Sequence, residues 1–208
     1  MNENKFTEKE SLELITQMIQ QTKQKLQVGS GNVLLYYGYT SVLIAIAVYA
    51  LCHYTGHMYW HNLWFLMFVP ILTNTFSRKR RQPAVVTYID RAVHNIWNVI
   101  NALLVLTVLT IVVMGWFTKE MPLISMMPFA LLYVGIGVAC TGVITKEKSM
   151  TYFPVISLVI CIYMLVTLIT AGRFTLEWNL LAGLCFLLML VIPGHILNRK
   201  SLKQCSKN

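Results

Sequence analysis

The amino-acid sequence predicts an all-α, polytopic membrane protein with six transmembrane helices, both termini in the cytoplasm, and an amphipathic cytoplasmic helix before the first span. Composition is the first observation behind this prediction. Of 208 residues, 56% are hydrophobic and only 12% are charged, which is too few charges for a protein surrounded by water. The second observation is that long apolar runs alternate with short basic segments along the chain.

The six predicted spans are apolar runs without acidic side chains. They cover residues 33–54, 59–76, 96–117, 123–144, 152–171 and 178–197. Each run approaches or exceeds the roughly 20 helical residues that cross a hydrocarbon core of about 30 Å. The chain is therefore divided into a cytoplasmic helix and Gly-Ser-Gly hinge (1–31), a six-helix bundle (32–198) and a basic tail (199–208).

Lysine and arginine are concentrated in every second loop, and this pattern predicts the orientation. Of the 17 Lys and Arg residues, all but Lys119 and Arg173 fall on one side of the predicted spans. Because basic loops stay in the cytoplasm, both termini are expected to lie inside. The net charge of +9 is thus a topology signal. The lipid bilayer is the expected partner, and direct contact with nucleic acid is not expected.

Residues 7–27 are predicted to form the amphipathic cytoplasmic helix. Thr7 and Glu10 form a capping box at its start, and Gly29-Ser30-Gly31 ends it. Its apolar stripe contains Leu12, Ile15, Ile19 and Leu26. Such a stripe binds the lipid surface, the cytoplasmic end of its own bundle or a partner protein. Since the polar face contains glutamates, which disfavour anionic lipid, the sequence favours protein contact, in the first place with the chain's own bundle. For contact with a partner protein, these four residues are the candidate docking surface.

The third helix contains the most polar stripe of the chain. Arg91, His94, Asn98 and Asn101 follow one another at steps of 3, 4 and 3, which places them on one helix face. Amides are costly in a bilayer unless they face protein or water, so this face is predicted to point into the bundle. With His195 it forms the candidate ligand site, in a shallow cytoplasmic cavity. The alternative is hydrogen bonding between helices without any ligand.

Three histidines recur every four residues at the outer end of the first hairpin. His53, His57 and His61 would share one face if the first helix continued through them. They are weak candidates for a metal site, because Cys52 is the only nearby residue that would complete one. Gly56 and the aromatic residues that follow favour a turn at the membrane interface instead. No metal or other cofactor is expected.

Small residues on the fourth predicted span form a groove for close helix packing. Gly135, Ala139 and Gly142 are separated by steps of 4 and 3. The groove fits either a second copy of the chain, as a homodimer, or a neighbouring helix of the same chain.

Absent features narrow the predicted function. No Asp or Glu lies within a span, whereas ion-coupled carriers usually need one. The sequence also contains no HExxH, GxSxG or P-loop motif. We therefore expect a non-enzymatic regulatory or scaffold module whose cytoplasmic helices dock a protein partner. One alternative is a small-solute carrier or channel that uses Asn98 and Asn101. The other is a lipid-modifying enzyme with His94 and His195 as acid and base and Arg91 as phosphate ligand.

The beginning of the chain resembles a family of uncharacterised small multi-span bacterial inner-membrane proteins. The resemblance consists of Glu10-Ser11-Leu12-Glu13-Leu14-Ile15 with Met18-Ile19, followed by Ser30-Gly31-Asn32 and Tyr37-Gly38-Tyr39. It covers the first forty residues and the pattern of spans. It implies a bacterial inner-membrane location. Since members of that family are often encoded beside a small winged-helix regulator, it also implies a role in signalling or envelope homeostasis.

Overall fold

The computed structural model describes residues 12, 13, 16, 30–69, 88–118, 126–172 and 175–205. Within these ranges the structure is helical and contains no strand. Between residues 30 and 205, the described α-helices are α1 (Ser30–Thr55), α2 (Tyr88–Thr118), α3 (Met126–Thr145), α4 (Lys148–Ala171), α5 (Trp178–Phe186) and α6 (Ile192–Cys205). A 3-10 helix lies at Met58–Met67 and a π-helical turn at Leu187–Val191.

Among the described residues, five helical segments are long and apolar enough to cross a membrane. Four belong to α1, α2, α3 and α4, and the fifth runs from Trp178 to Lys200 through α5, the π turn and α6. We call this fifth segment the last span. The predicted all-α, multi-span class is thereby confirmed. The second predicted span (59–76) is described only up to residue 69, and there it is mainly 3-10 helix.

The last span lies at the centre of the bundle, and α2 lies at its edge. In the most apolar 18-residue stretch of each, 56% of the last span is buried, against 17% of α2. The last span packs against α1, α3 and α4, whereas α2 packs mainly on α3. The largest buried cluster accordingly includes Trp178, Phe186 and Met189 of the last span.

Small residues on α1 bring its backbone close to the last span. They are Gly31, Gly38 and Ala45, at steps of seven residues. A Cβ atom on Gly31 would collide with the carbonyl oxygen of Gly194, and one on Gly38 would lie 2.6 Å from Val191 Cγ2. Because a seven-residue step keeps positions on one seam of a packed helix pair, the two helices approach along most of their length.

The π turn in the last span precedes Pro193. The Ile192 N–H donates to the carbonyl oxygen of Leu187, a bond five residues back in the chain. Proline has no N–H of its own, and its ring displaces the carbonyl four residues earlier, so the turn widens here. The widened turn includes Val191, which contacts α1 at Gly38.

The 3-10 helix aligns three inward side chains that an α-helix would spread. With three residues per turn, His61, Trp64 and Met67 lie directly above one another. Trp64 packs against the core beside Phe186, with ring centroids 6.1 Å apart. Met67 Sδ lies 3.4 Å from the hydroxyl oxygen of the buried Ser41 of α1, which donates its proton to the Tyr37 carbonyl oxygen at 2.6 Å.

Candidate functional site

The predicted polar stripe of α2 does not face the bundle. The side chains of Arg91, His94 and Asn98 are exposed, and Asn101 is half-buried. The face that packs on α3 includes Ile100, which contacts Gly137. The prediction of an inward stripe is therefore wrong for these three residues. The physical reason is that α2 packs on α3 through its apolar face, where Gly137 of α3 leaves room for the Ile100 side chain.

His195 lies in contact with α1. Its Nε2 is 2.7 Å from the Tyr39 hydroxyl, and the two rings meet edge to face. His94 belongs to α2, which packs mainly on α3, whereas α6 packs mainly on α1. The structure thus places the two histidines of the predicted acid–base pair on helices with different main partners.

The three outer histidines diverge. α1 ends at Thr55, and Gly56 adopts a left-handed conformation (φ +68°) that turns the chain. His53 stacks on Tyr49, His57 stacks on Tyr59, and His61 turns inward. Within the part of the chain that the structure describes, no three His, Cys, Asp or Glu residues are grouped to hold a metal ion.

A polar network that the sequence analysis missed joins the 3-10 helix to the last span. Asn179 is fully buried at the start of α5. Its Oδ1 accepts from Trp64 Nε1 at 3.0 Å, and its Nδ2 donates to the Leu176 carbonyl oxygen at 3.1 Å and to His61 Nε2 at 3.2 Å. The available signal was an amide directly after a tryptophan at the beginning of an apolar run.

These contacts determine the protonation pattern of the His61 ring. Trp64 Nε1 can only donate, so Asn179 must turn its oxygen toward Trp64 and its NH₂ group toward His61. His61 Nε2 is then an acceptor and Nδ1 bears the proton. Nδ1 lies 2.9 Å from the carbonyl oxygen of Met58, its natural acceptor.

Cys52, His61 and Asn179 have the composition of a cysteine hydrolase triad, but their hydrogen bonds have the wrong polarity. Cys52 Sγ is 3.7 Å from His61 Nδ1. In a nucleophilic triad the nitrogen facing the thiol accepts its proton and the asparagine oxygen faces the other nitrogen. Here the nitrogen facing Cys52 already bears a proton, and the asparagine donates. The arrangement therefore fixes the 3-10 helix and does not activate a thiol.

A second polar cluster joins the first turn of α1 to α6. Asn198 Oδ1 accepts from the Gly31 N–H at 3.1 Å, and Asn198 Nδ2 donates to Asn32 Oδ1 at 2.6 Å. Gly31 also contacts Gly194. Gly31 and Asn32 thus form one side of a close helix contact.

An ion pair connects the same end of the last span to the α3–α4 turn. Lys200 Nζ is 2.6 Å from Glu147 Oε2. Glu147 is buried, and its backbone N–H donates to the Gly142 carbonyl oxygen at 2.9 Å. Lys146, with φ +57°, makes the tight turn between the helices. Burial of the carboxylate makes a fixed cationic partner necessary.

The small residues of the fourth predicted span contact helices of the same chain. A Cβ on Gly135 would lie 3.0 Å from Leu158, and one on Gly142 would lie 2.7 Å from the backbone of Met150 and Thr151. Ala139 is half-buried. The groove therefore receives α4, which leaves little room for a second copy at these positions.

The predicted docking stripe is described only at its start. Leu12 and Thr16 are helical, and the Thr16 hydroxyl donates to the Leu12 carbonyl oxygen at 2.7 Å. Leu12 is 65% exposed. Ile15, Ile19 and Leu26 lie outside the described residues.

No family model, curated protein or solved structure matches this chain. The function must therefore be argued from the side chains themselves. The polar groups at both ends of the last span are held in contacts with neighbouring segments: Asn179 with the 3-10 helix, Asn198 with α1 and Lys200 with the α3–α4 turn. This arrangement fixes helices relative to one another and leaves these groups little capacity for a substrate.

Proposed function

We propose that this chain is a non-enzymatic scaffold or regulatory module of the bacterial inner membrane that docks a cytoplasmic protein. The observation that carries the proposal is the use of polar side chains within the bundle as helix-to-helix clamps. Asn179, Asn198 and Lys200 occur along one span, and each is bonded to a different neighbouring segment. Such a frame holds its helices rigidly, which suits a platform better than a solute path or a reaction site.

The distribution of the other candidate residues also favours a platform. A lipid-modifying enzyme would need His94 and His195 close together, yet they lie on helices with different main partners. A carrier would need Asn98 inside the bundle, yet Asn98 is exposed on the edge helix. Among the described residues, no contact specifically favours the enzyme or the carrier alternative.

The docking surface in this proposal is the end of the bundle where α1 begins and α6 finishes. Beyond Lys200, where the last span ends, α6 continues to Cys205 and presents Leu202, which is 61% exposed. Leu12 is similarly exposed in the preceding helical segment. In this proposal the two exposed leucines are the apolar side chains that the protein partner covers.

Charge at this end indicates the chemistry of the partner. Lys146, Lys148 and Arg199 are exposed, and the nearby carboxylate of Glu147 is already paired with Lys200. A partner with an acidic rim around an apolar centre is complementary to this surface. The cytoplasmic location of this end follows the distribution of basic residues along the sequence.

Photo-crosslinking from residue 12 tests the proposal. A photoreactive amino acid replaces Leu12 in the full chain expressed in cells, and the matched control carries it at the neighbouring Glu13. We expect an adduct from position 12 with one soluble protein, whose binding to the purified chain is then measured directly. That binding should fall at least about tenfold in Leu12→Asp and remain within about twofold in Glu13→Gln.

The opposite result assigns the helix a structural role. If position 12 forms adducts only with the chain itself, and deletion of residues 1–27 lowers the melting temperature of the bundle, the docking proposal fails. If the deletion leaves the melting temperature unchanged and abolishes partner binding, the proposal stands.

A further inference from the structure

The exposed face of α2 contains a continuous seam with heptad spacing. Its residues, at steps of 4, 3, 4 and 3, are Asn98, Ala102, Val105, Leu109 and Val112. All five are exposed, and the exposed fractions of Val105, Leu109 and Val112 are 51%, 56% and 43%. At 100° per residue, the seam lies roughly 140° around the helix from the face that packs on α3. It therefore points away from the bundle.

Asn98 makes this seam unlike an ordinary lipid-facing surface. It lies 18 residues before Trp116, or about 27 Å at 1.5 Å per residue. With Trp116 at the outer interface, Asn98 lies near the inner boundary of a hydrocarbon core of about 30 Å. No hydrogen bond in the described part of the chain engages its carboxamide. Lipid tails offer no partner for an amide, so another protein surface is the favourable neighbour.

The exposed face of α4 provides an internal comparison. Lys148 is exposed in its first turn, and from Tyr152 onward its large exposed side chains are Tyr152, Val155, Ile156, Val159, Ile162, Tyr163, Val166 and Ile169. None of these bears an amide or a charge, as expected for a surface in contact with lipid. α2 and α4 both expose valine and other aliphatic side chains, but only the α2 seam adds an amide at its inner end.

We propose that the α2 seam binds the same seam of a second copy, giving a parallel, two-fold symmetric dimer in the membrane. Two copies inserted with the same orientation necessarily present parallel α2 helices. An asparagine carboxamide both donates and accepts, so Asn98 of one copy complements the same residue of the other. Heptad spacing with small and β-branched residues supplies close packing along the rest of the seam.

The size and charge of the seam are compatible with this occupant. Helix pairing over the roughly four turns of the seam would cover roughly 500 Å² on each copy, or about 1,000 Å² in total, the lower limit of a specific interface. Arg91, two turns before Asn98, is exposed at the aqueous end. At that end the Arg91 side chains of the two copies can point away from each other, and salt screens their repulsion.

Disulfide crosslinking in membranes tests the seam. The exposed Cys140 is replaced by alanine and Cys205 by serine in the full chain. Single cysteines are then introduced at Ala102, Val105, Leu109 and Val112 on the seam. Leu103 and Leu106 are the controls on the same helix, and Val159 of α4 is the control on another exposed surface.

We expect oxidation to give at least roughly fivefold more covalent dimer from seam positions than from the controls, because disulfides need Cα atoms within about 7 Å. Crosslinking that is absent at the seam, or equal at seam and control positions, would overturn the proposal.

Self-association measured by energy transfer in liposomes gives an independent test. Asn98→Leu should weaken the dimer by roughly three- to tenfold, the range found for hydrogen bonds between membrane helices. Asn98→Gln, which retains a carboxamide, and Asn62→Leu on the 3-10 helix should each change it by less than about twofold. Melting temperatures establish that each variant is folded. Unchanged or stronger association of folded Asn98→Leu would contradict the role of this residue.

Discussion

The indole N–H of Trp64 donates to the side-chain oxygen of the fully buried Asn179 at 3.0 Å, across 115 positions of sequence. This bond attaches the 3-10 helix to the central span of the bundle. It also orients the Asn179 amide, whose nitrogen then donates to His61 and to the Leu176 carbonyl oxygen. One buried side chain thus joins the 3-10 helix to the start of the last span and determines the tautomer of a histidine.

Replacing Asn179 by leucine should destabilise the bundle by about 1–3 kcal/mol, because Trp64 and His61 both lose a partner in a mostly dry environment. Thermal unfolding in detergent measures the loss. Trp64→Phe removes the donor together with part of the ring that packs beside Phe186, and it leaves the Asn179 oxygen unpaired, so it should also be destabilising by about 1–3 kcal/mol. In a double-mutant cycle the two changes should be coupled by at least about 0.5 kcal/mol. Additive effects would show that the bond contributes little.

Nitrogen NMR of histidine-labelled protein in nanodiscs tests the tautomer of His61. In the unmodified chain we expect Nδ1 to be protonated and Nε2 to be unprotonated, because Asn179 donates to Nε2. In Asn179→Asp the side chain can only accept when ionised, so Nε2 should become protonated. His61→Gln identifies the resonance. A protonated Nε2 in the unmodified chain would contradict the assigned network.

Gly31→Ala should destabilise the contact between α1 and the last span by about 1–3 kcal/mol, as overpacking usually does. The added methyl group would collide with the Gly194 carbonyl oxygen, a backbone atom that cannot move without moving α6. Ala47→Val, on the exposed side of α1, is the matched control and should be nearly neutral. Equal melting temperatures for both variants would argue against close approach at Gly31.

The Lys200 and Glu147 ion pair should show an asymmetric response to substitution. Lys200→Met leaves a buried carboxylate without its cation, whereas Glu147→Gln leaves a lysine that is 53% exposed and can be hydrated. We expect Lys200→Met to be less stable than Glu147→Gln by about 1 kcal/mol or more. Adding Glu147→Gln to Lys200→Met should recover part of the loss. A double variant less stable than Lys200→Met would contradict this account.

Part of the site could be predicted from composition and spacing, and part could not. The turn at Gly56 followed from a glycine among interfacial aromatic residues, and it separates His53, His57 and His61 as that turn implies. The orientation of the α2 stripe could not be predicted, because Arg91, His94 and Asn98 share a face whichever way that face points. The direction of this face is set by the opposite, apolar face of α2, which packs on α3 at Gly137.

The sequence by itself determined the helical, multi-span class and the position of most spans, because the length and polarity of an apolar run are local properties. Only the tertiary structure decided which side chains meet. It put the last span at the centre, made residues 58–67 a 3-10 helix, and paired Asn179 with Trp64 and Lys200 with Glu147. These features depend on the fit between helix surfaces far apart in sequence, and periodicity within one helix does not contain that information.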